Sequence, residues 1–136
     1  MAVTFEIEIK PRFRDIDSLG HVNNAVYFTY MEQARTEYYL KLSNRKALQE
    51  LEFILANASC DFRSPIAFGD TVLVRVWPTR IGNSSFTLHY EMKIKEDGRL
   101  AAEGESVQVA YDYAAKKTTA IPAAFRRGLE SEMPSG

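Results

Sequence analysis

The sequence predicts an α+β fold in which one long helix lies on a mostly antiparallel sheet. Three observations carry that expectation. A short alternating segment near the start is followed by a single long stretch of helical periodicity. Several long alternating segments then follow one another, separated by turn residues. No βαβ alternation, internal repeat, low-complexity stretch or linker interrupts this order.

The elements follow in order. Phe5, Ile7 and Ile9 alternate with Glu6, Glu8 and Lys10, the period of a half-buried strand. Pro11 disturbs any continuing ladder, and Ser18-Leu19-Gly20 reads as a turn. From Ala25 to Leu42 the spacing changes. Tyr27, Tyr30, Met31, Ala34, Tyr38 and Leu42 recur at helical intervals with no Gly or Pro between them. Asn23 or Asn24 can cap the start, and the helix is roughly 27 Å long at 1.5 Å per residue. Ser43-Asn44 ends it, and Lys46 to Leu51 reads as a short second helix.

Strands then dominate. Ile54 to Phe62 is the first, and Ser64-Pro65 with Phe68-Gly69-Asp70 marks turns. Thr71 to Ile81 alternates, with Val72, Val74 and Val76 on one side. Gly82-Asn83 turns the chain into Ser85–Lys95, where Phe86, Leu88, Tyr90, Met92 and Ile94 alternate. Asp97-Gly98 is a hairpin signal, followed by Arg99 to Tyr113 with Val107, Val109 and Tyr111 in step. Ile121-Pro122 precedes a short helix, Ala123 to Glu130, and the tail from Met133 to Gly136 is expected to fray. We read residues 1–136 as one domain.

Composition narrows the function classes. The net charge is −1 with acids and bases interspersed, so no basic face for nucleic acid is expected. The first residues lack the apolar core of a signal peptide, and no apolar run reaches membrane-spanning length. The one cysteine, Cys60, cannot form an internal disulfide and reads as a buried structural thiol. These features predict a soluble cytoplasmic protein with no membrane partner.

The richest stretch runs from Arg12 to Asn24. Asp15 and Asp17 precede the turn at Gly20, which empties onto a helix N-terminus with unpaired N–H groups and partial positive charge. A carboxylate beside such amides can attack or deprotonate while the amides polarise a carbonyl. Local pattern leaves this reading open beside a plainer one, a helix cap with solvated acids. Two histidines, His21 and His89, lack the spaced acidic or thiol partners of a metal site. His21 reads as a cap or pocket residue and His89 as a strand residue. Glu32 and Arg35, three apart on the helix, are expected to form a surface or interface ion pair.

Phe13-Arg14-Asp15-Ile16-Asp17-Ser18-Leu19-Gly20-His21-Val22-Asn23-Asn24, with Glu32-Gln33-Ala34-Arg35, Asp61-Phe62-Arg63-Ser64-Pro65, Gly82-Asn83-Ser84-Ser85 and Ile121-Pro122, resembles the hotdog-fold acyl-CoA thioesterases of the 4-hydroxybenzoyl-CoA thioesterase type. The pieces occur in the same order over nearly the whole chain. The resemblance implies a long central helix wrapped by five or six antiparallel strands, and assembly into homodimers or homotetramers with active sites at the dimer interface. It implies hydrolysis of an acyl-CoA thioester without a cofactor. Asp17 would be general base or nucleophile, and the Asn24 backbone N–H would polarise the thioester carbonyl. Gly20, His21, Tyr27, Arg63, Ser84 and Ser85 would bind substrate, with Gly20 allowing its close approach and Ser84 and Ser85 reaching it from the neighbouring subunit. Arg63, Arg80, Arg126 and Arg127 are the cations available to the CoA phosphates. Asp15 receives a structural role, bound to local backbone or to Arg12 or Arg14; in an extended chain it would point the same way as Asp17. Glu32 could face the pocket. The Gly-His-hydrophobic-Asn-Asn run, shared with a branch acting on long-chain and related substrates, favours an aliphatic acyl group. The alternative on the same fold is a non-catalytic acyl-CoA or acyl-carrier-protein binding module; a hydratase and a purely structural dimerisation domain are further alternatives.

Overall fold

The computed structural model describes residues 5–43 and 52–134. Its elements are β1 (Phe5–Ile9), a 3-10 turn (Phe13–Asp15), α1 (Asn24–Leu42), β2 (Phe53–Phe62), β3 (Val72–Ile81), β4 (Ser85–Ile94), β5 (Leu100–Asp112), β6 (Lys117–Thr118) and α2 (Ala123–Glu132). The expected short helix over 46–51 lies outside the described residues, as do the last two residues of the tail.

Five strands form an antiparallel sheet in the order β1-β3-β4-β5-β2, and β6 adds to β5. β3, β4 and β5 are a meander. β2 is set apart from β3, its neighbour in sequence, and pairs with β5 at the far edge. Among the described residues β1 pairs with β3 as far as Val76, and Pro78 lies beyond that ladder. The long helix lies on one face of this sheet, which is the hotdog arrangement.

The alternation in β3 and β4 sets that face. Val72, Val74 and Val76 are buried, as are Phe86, Leu88, Tyr90, Met92 and Ile94. Each large apolar side chain so buried contributes about 1.5–3 kcal/mol. From α1 come Tyr27, Tyr30, Met31, Ala34 and Tyr38, all buried. The cap of α1 is Asn23, whose side chain accepts the Ala25 N–H at 2.9 Å.

β5 departs from the simple reading. Val107, Val109 and Tyr111 do alternate, but they are only half-buried. The inward residues are Ala102, Gly104, Ser106, Gln108 and Ala110. Small residues here let α1 lie close to the sheet. A Cβ on Gly104 would stand 2.7 Å from the Ser59 carbonyl oxygen and 3.1 Å from the Met31 sulfur.

The expected Glu32–Arg35 ion pair is absent among the described residues. Arg35 turns inward instead, is 9% exposed, and donates to the Tyr90 hydroxyl at 3.1 Å. Its position in the helix puts it over β4, whereas Glu32 stays exposed.

Candidate active site

The loop between the 3-10 turn and α1 is fastened from both ends. Ile16 bridges to Val22 and His21 to Ala67, and the Val22 N–H donates to the Ile66 carbonyl at 2.8 Å. Within it the Gly20 N–H donates to the Asp17 carbonyl at 3.0 Å, closing a turn. Gly20 has φ +84°, a backbone region that L side chains avoid, and a Cβ there would meet nothing within 4 Å. Within one chain its glycine identity therefore reflects conformation and not crowding.

Asp15 and Asp17 diverge. The 3-10 turn breaks the extended geometry that would have aligned them. Asp15 is 3% exposed, and its Oδ2 accepts from the Arg12 amide at 2.9 Å and the Tyr30 hydroxyl at 2.8 Å. Arg12 Nη2 reaches its other oxygen at 3.1 Å. Burial pushes this carboxyl up, but the Arg12 amide, the Tyr30 hydroxyl and the Arg12 guanidinium together hold it below the usual carboxylate range. The Asp15 carbonyl also accepts the Asn23 N–H at 2.9 Å, so one residue ties the loop to the helix start.

Asp17 is half-buried and faces a cleft. Its Oδ1 accepts the Leu19 amide at 2.9 Å, with the His21 amide at 3.5 Å. Among the described residues, nothing donates to Oδ2. At the helix start the Ala25 N–H is taken by the Asn23 side chain and the Val26 N–H by the Asn23 carbonyl. The Asn24 N–H has no acceptor among the described residues, and Asn24 lines the same cleft.

That cleft has a volume of about 310 Å³. It brings together Asp17, His21, Asn24, Tyr27 and Arg63 of the residues singled out from sequence. Leu19, Val22, Phe62, Ser64 and Pro65 complete it and were not anticipated as site residues; the four apolar ones carry only a character shared with many core residues. Tyr27 is both floor and core: it is 2% exposed and meets the Phe62 ring edge-on at 4.9 Å. Burial raises its hydroxyl above the ordinary tyrosine range. Burial likewise pushes the Cys60 thiol up to about 11, so it stays protonated at neutral pH.

The second wall is anchored to the sheet. The Arg63 and Ser64 amides donate to the Ala101 carbonyl, and Ser64 Oγ donates to the Leu100 carbonyl at 2.7 Å. Arg99 braces it from behind, donating to the Pro65 carbonyl at 2.9 Å and to Asp70 at 3.0 Å. The exposed Arg63 guanidinium pairs with Glu103 at 3.3 Å and lies 3.8 Å from Asp61.

Other sequence candidates lie elsewhere. Ser84 and Ser85 are at the β3–β4 turn, outside this chain's cleft. Arg126 holds that turn to α2 by donating to the Gly82 and Asn83 carbonyls. The His89 and Trp77 rings meet at a tilt with centroids 4.8 Å apart, as cross-strand neighbours. No helix is long and apolar enough to cross a membrane among the described residues. No group of three or more His, Cys, Asp or Glu side chains there could hold a metal.

The sequence model of the Thioesterase-like superfamily matches residues 11–129. The uncharacterized protein YsmA of Bacillus subtilis is 30% identical over 87 residues, which are 64% of this chain and 59% of that protein. This chain thus spans about three fifths of that relative. The long-chain acyl-CoA thioesterase FadM of Escherichia coli is 25% identical over 130 residues, covering 92% of this chain and 96% of that one. A thioesterase from Thermus thermophilus, solved in complex with coenzyme A and zinc, superposes with a TM-score of 0.85 at 34% identity, covering 96% and 95% of the two chains.

Proposed function

The chain belongs to the thioesterase-like superfamily, and on that footing we propose that it hydrolyses an acyl-CoA thioester to the free acid and coenzyme A at the cleft beside Asp17. The observation that carries this reading is a pairing: a carboxylate oxygen and a helix-start N–H, both without protein partners among the described residues, line one cleft.

In this mechanism the thioester carbonyl oxygen accepts the Asn24 N–H, which stabilises the charge that develops on it. The free Oδ2 of Asp17 then acts on the carbonyl carbon in one of two ways. As general base it takes a proton from water, whose oxygen adds to the carbon. As nucleophile it adds directly, and water later cleaves the mixed anhydride. Either way the C–S bond breaks and the electron pair leaves on sulfur. A thiol with a pKa near 8.5 departs readily as thiolate, so no strong general acid is needed. The Leu19 amide on Oδ1 fixes the carboxylate without occupying the reacting oxygen.

Gly20 supplies the turn; His21, Tyr27 and Arg63 line the acyl and pantetheine path. Similarity to a long-chain thioesterase supports an aliphatic acyl group. Ser84 and Ser85 fit this reading as residues contributed by a partner protomer, in a homodimer or homotetramer joined through β2, with 1–136 as the single domain. The lone Cys60 suits a reducing compartment, and a cytoplasmic location belongs to the same reading.

The test is thiol release from a panel of acyl-CoAs. Asp17→Asn and Asp17→Ala should lower kcat by about 10²-fold or more, the range seen when a positioned catalytic group is lost, while the unfolding midpoint stays near wild type. Full activity in folded Asp17→Asn defeats the assignment; tight acyl-CoA binding without release by wild type points to a binding module. Single turnover in heavy-oxygen water reveals the anhydride when water cleaves it at the aspartyl carbonyl, because label then enters the Asp17 carboxylate.

A further inference from the structure

A second cleft, of about 180 Å³, lies farther along the same side of α1, with Phe28, Met31, Glu32 and Arg35 on the helix and Leu55 and Ala58 on β2. The linings of the two clefts follow one another along the same helix and the same strand; joined end to end they would make one groove. On the helix the lining runs from Asn24 through Tyr27 to Glu32 and Arg35; on β2 it runs from Phe62 to Ala58 and Leu55. At 1.5 Å per residue, Arg35 stands about 16 Å along the axis from Asn24. An extended aliphatic chain attached at the carbonyl would travel over Phe28, Met31 and Leu55 and end beside Arg35.

The end it meets is charged. Arg35 is only 9% exposed, yet no carboxylate among the described residues comes within ion-pairing distance. Of its five N–H donors, one is used among the described residues, on the neutral Tyr90 hydroxyl. That hydroxyl shares a 2.6 Å hydrogen bond with Ser106. Glu32 lies one turn back with its carboxylate in water, where solvent weakens its hold on a buried cation. The sheet behind the cleft is polar as well. Ala58 pairs with Ser106 and Leu55 with Gln108, whose buried Oε1 has no partner. An anion with matching geometry would meet this cation more closely than the solvent-screened Glu32 carboxylate does.

Building on the thioesterase reading, we propose that the far end of this groove recognises an acyl group ending in a carboxylate, with the Arg35 guanidinium as its partner. The preferred substrates are then CoA thioesters of dicarboxylic acids over plain fatty acyl-CoAs of equal length.

The experiment compares octanoyl-, decanoyl- and dodecanoyl-CoA with the matching octanedioyl-, decanedioyl- and dodecanedioyl-CoA. At one length or more, wild type should favour the dicarboxylic member in kcat/KM by about tenfold or more, the effect of one charge-assisted bidentate contact. Arg35→Gln should remove that preference by slowing the dicarboxylic substrate alone, and Arg35→Lys should keep part of it. Preference for the plain chain at all three lengths overturns the proposal, as does an equal loss on both substrates in a folded Arg35→Gln protein. Calorimetric binding of free decanedioic and decanoic acids to wild type decides the matter without turnover or a variant: the dicarboxylic acid should bind more tightly, and equal or weaker binding overturns the proposal. Absence of thiol release from every acyl-CoA would strike the hydrolase reading, and the calorimetric comparison would still decide carboxylate recognition.

Discussion

Asp15 and Asp17 are separated by one residue, and the chain sends them into opposite surroundings. Asp15 is buried under Tyr30 and fully engaged; Asp17 keeps one oxygen bare beside a cleft. The first therefore belongs to stability, and the second is the one we propose for the chemistry. Tyr30→Phe removes one donor from a buried carboxylate and should cost about 1–3 kcal/mol in urea unfolding. Asp15 titrates below its unfolded value of about 3.9, so its stabilisation is present above that range and is lost as pH falls through the lower folded value. Wild-type stability should decline through that acidic window, and Asp15→Asn should flatten the decline while lowering stability at neutral pH. Urea midpoints measured across that pH range check both statements. The sequence shows two acids one residue apart before a glycine turn, and that much was legible. It does not show the 3-10 turn at Phe13–Asp15, because the turn depends on contacts with Tyr30 and Asn23 that lie across the fold.

At the scale of elements, periodicity reported what was local. The inward faces of β3 and β4 could be read directly: β4 sets an apolar row against a polar one, and β3 sets three valines against a mixed row of Leu73, Arg75 and Trp77. The long helix was equally legible from its spacing, with the cap left between Asn23 and Asn24 until the structure assigned it to Asn23. β5 was not, since its inward row is made of Ala102, Gly104, Ser106, Gln108 and Ala110, small or polar residues chosen by the closeness of α1. Arg35 escaped for a related reason: a charged residue on an aromatic stripe reads as surface until the sheet beneath supplies Tyr90. Gly104 makes this testable. A side chain there must displace the Ser59 carbonyl or Met31, so Gly104→Val should cost about 1–3 kcal/mol or more, the range for overpacked cores. Thermal and urea unfolding measure it; a variant as stable as wild type would mean that α1 can lift from the sheet without penalty.

Among the described residues β2 is an edge strand without a second neighbour, and its inner face is partly uncovered, with Leu55 51% and Phe62 44% exposed. Natural sheets seldom leave a long edge open, and a second copy of β2 placed antiparallel would close it. In such a two-fold pair the Phe62 end of one strand meets the Phe53 end of the other. Phe53 is in register with Ala110, whose N–H donates to the Ser84 carbonyl at 2.7 Å. The partner's β3–β4 turn would then approach the cleft at Asp17, and each site would draw on two chains. Mixing two impaired variants examines this. Asp17→Asn removes the proposed reacting group, and Ser84→Glu sets a negative charge where the CoA phosphates would lie. If every site combines Asp17 of one protomer with Ser84 of the other, subunit exchange makes half the molecules mixed dimers, each with one intact site and one doubly altered. Thiol release should recover to about a quarter of the wild-type rate from two nearly inactive preparations. If each chain carries its whole site, mixed dimers hold one fault per site, and no recovery follows however long the subunits exchange.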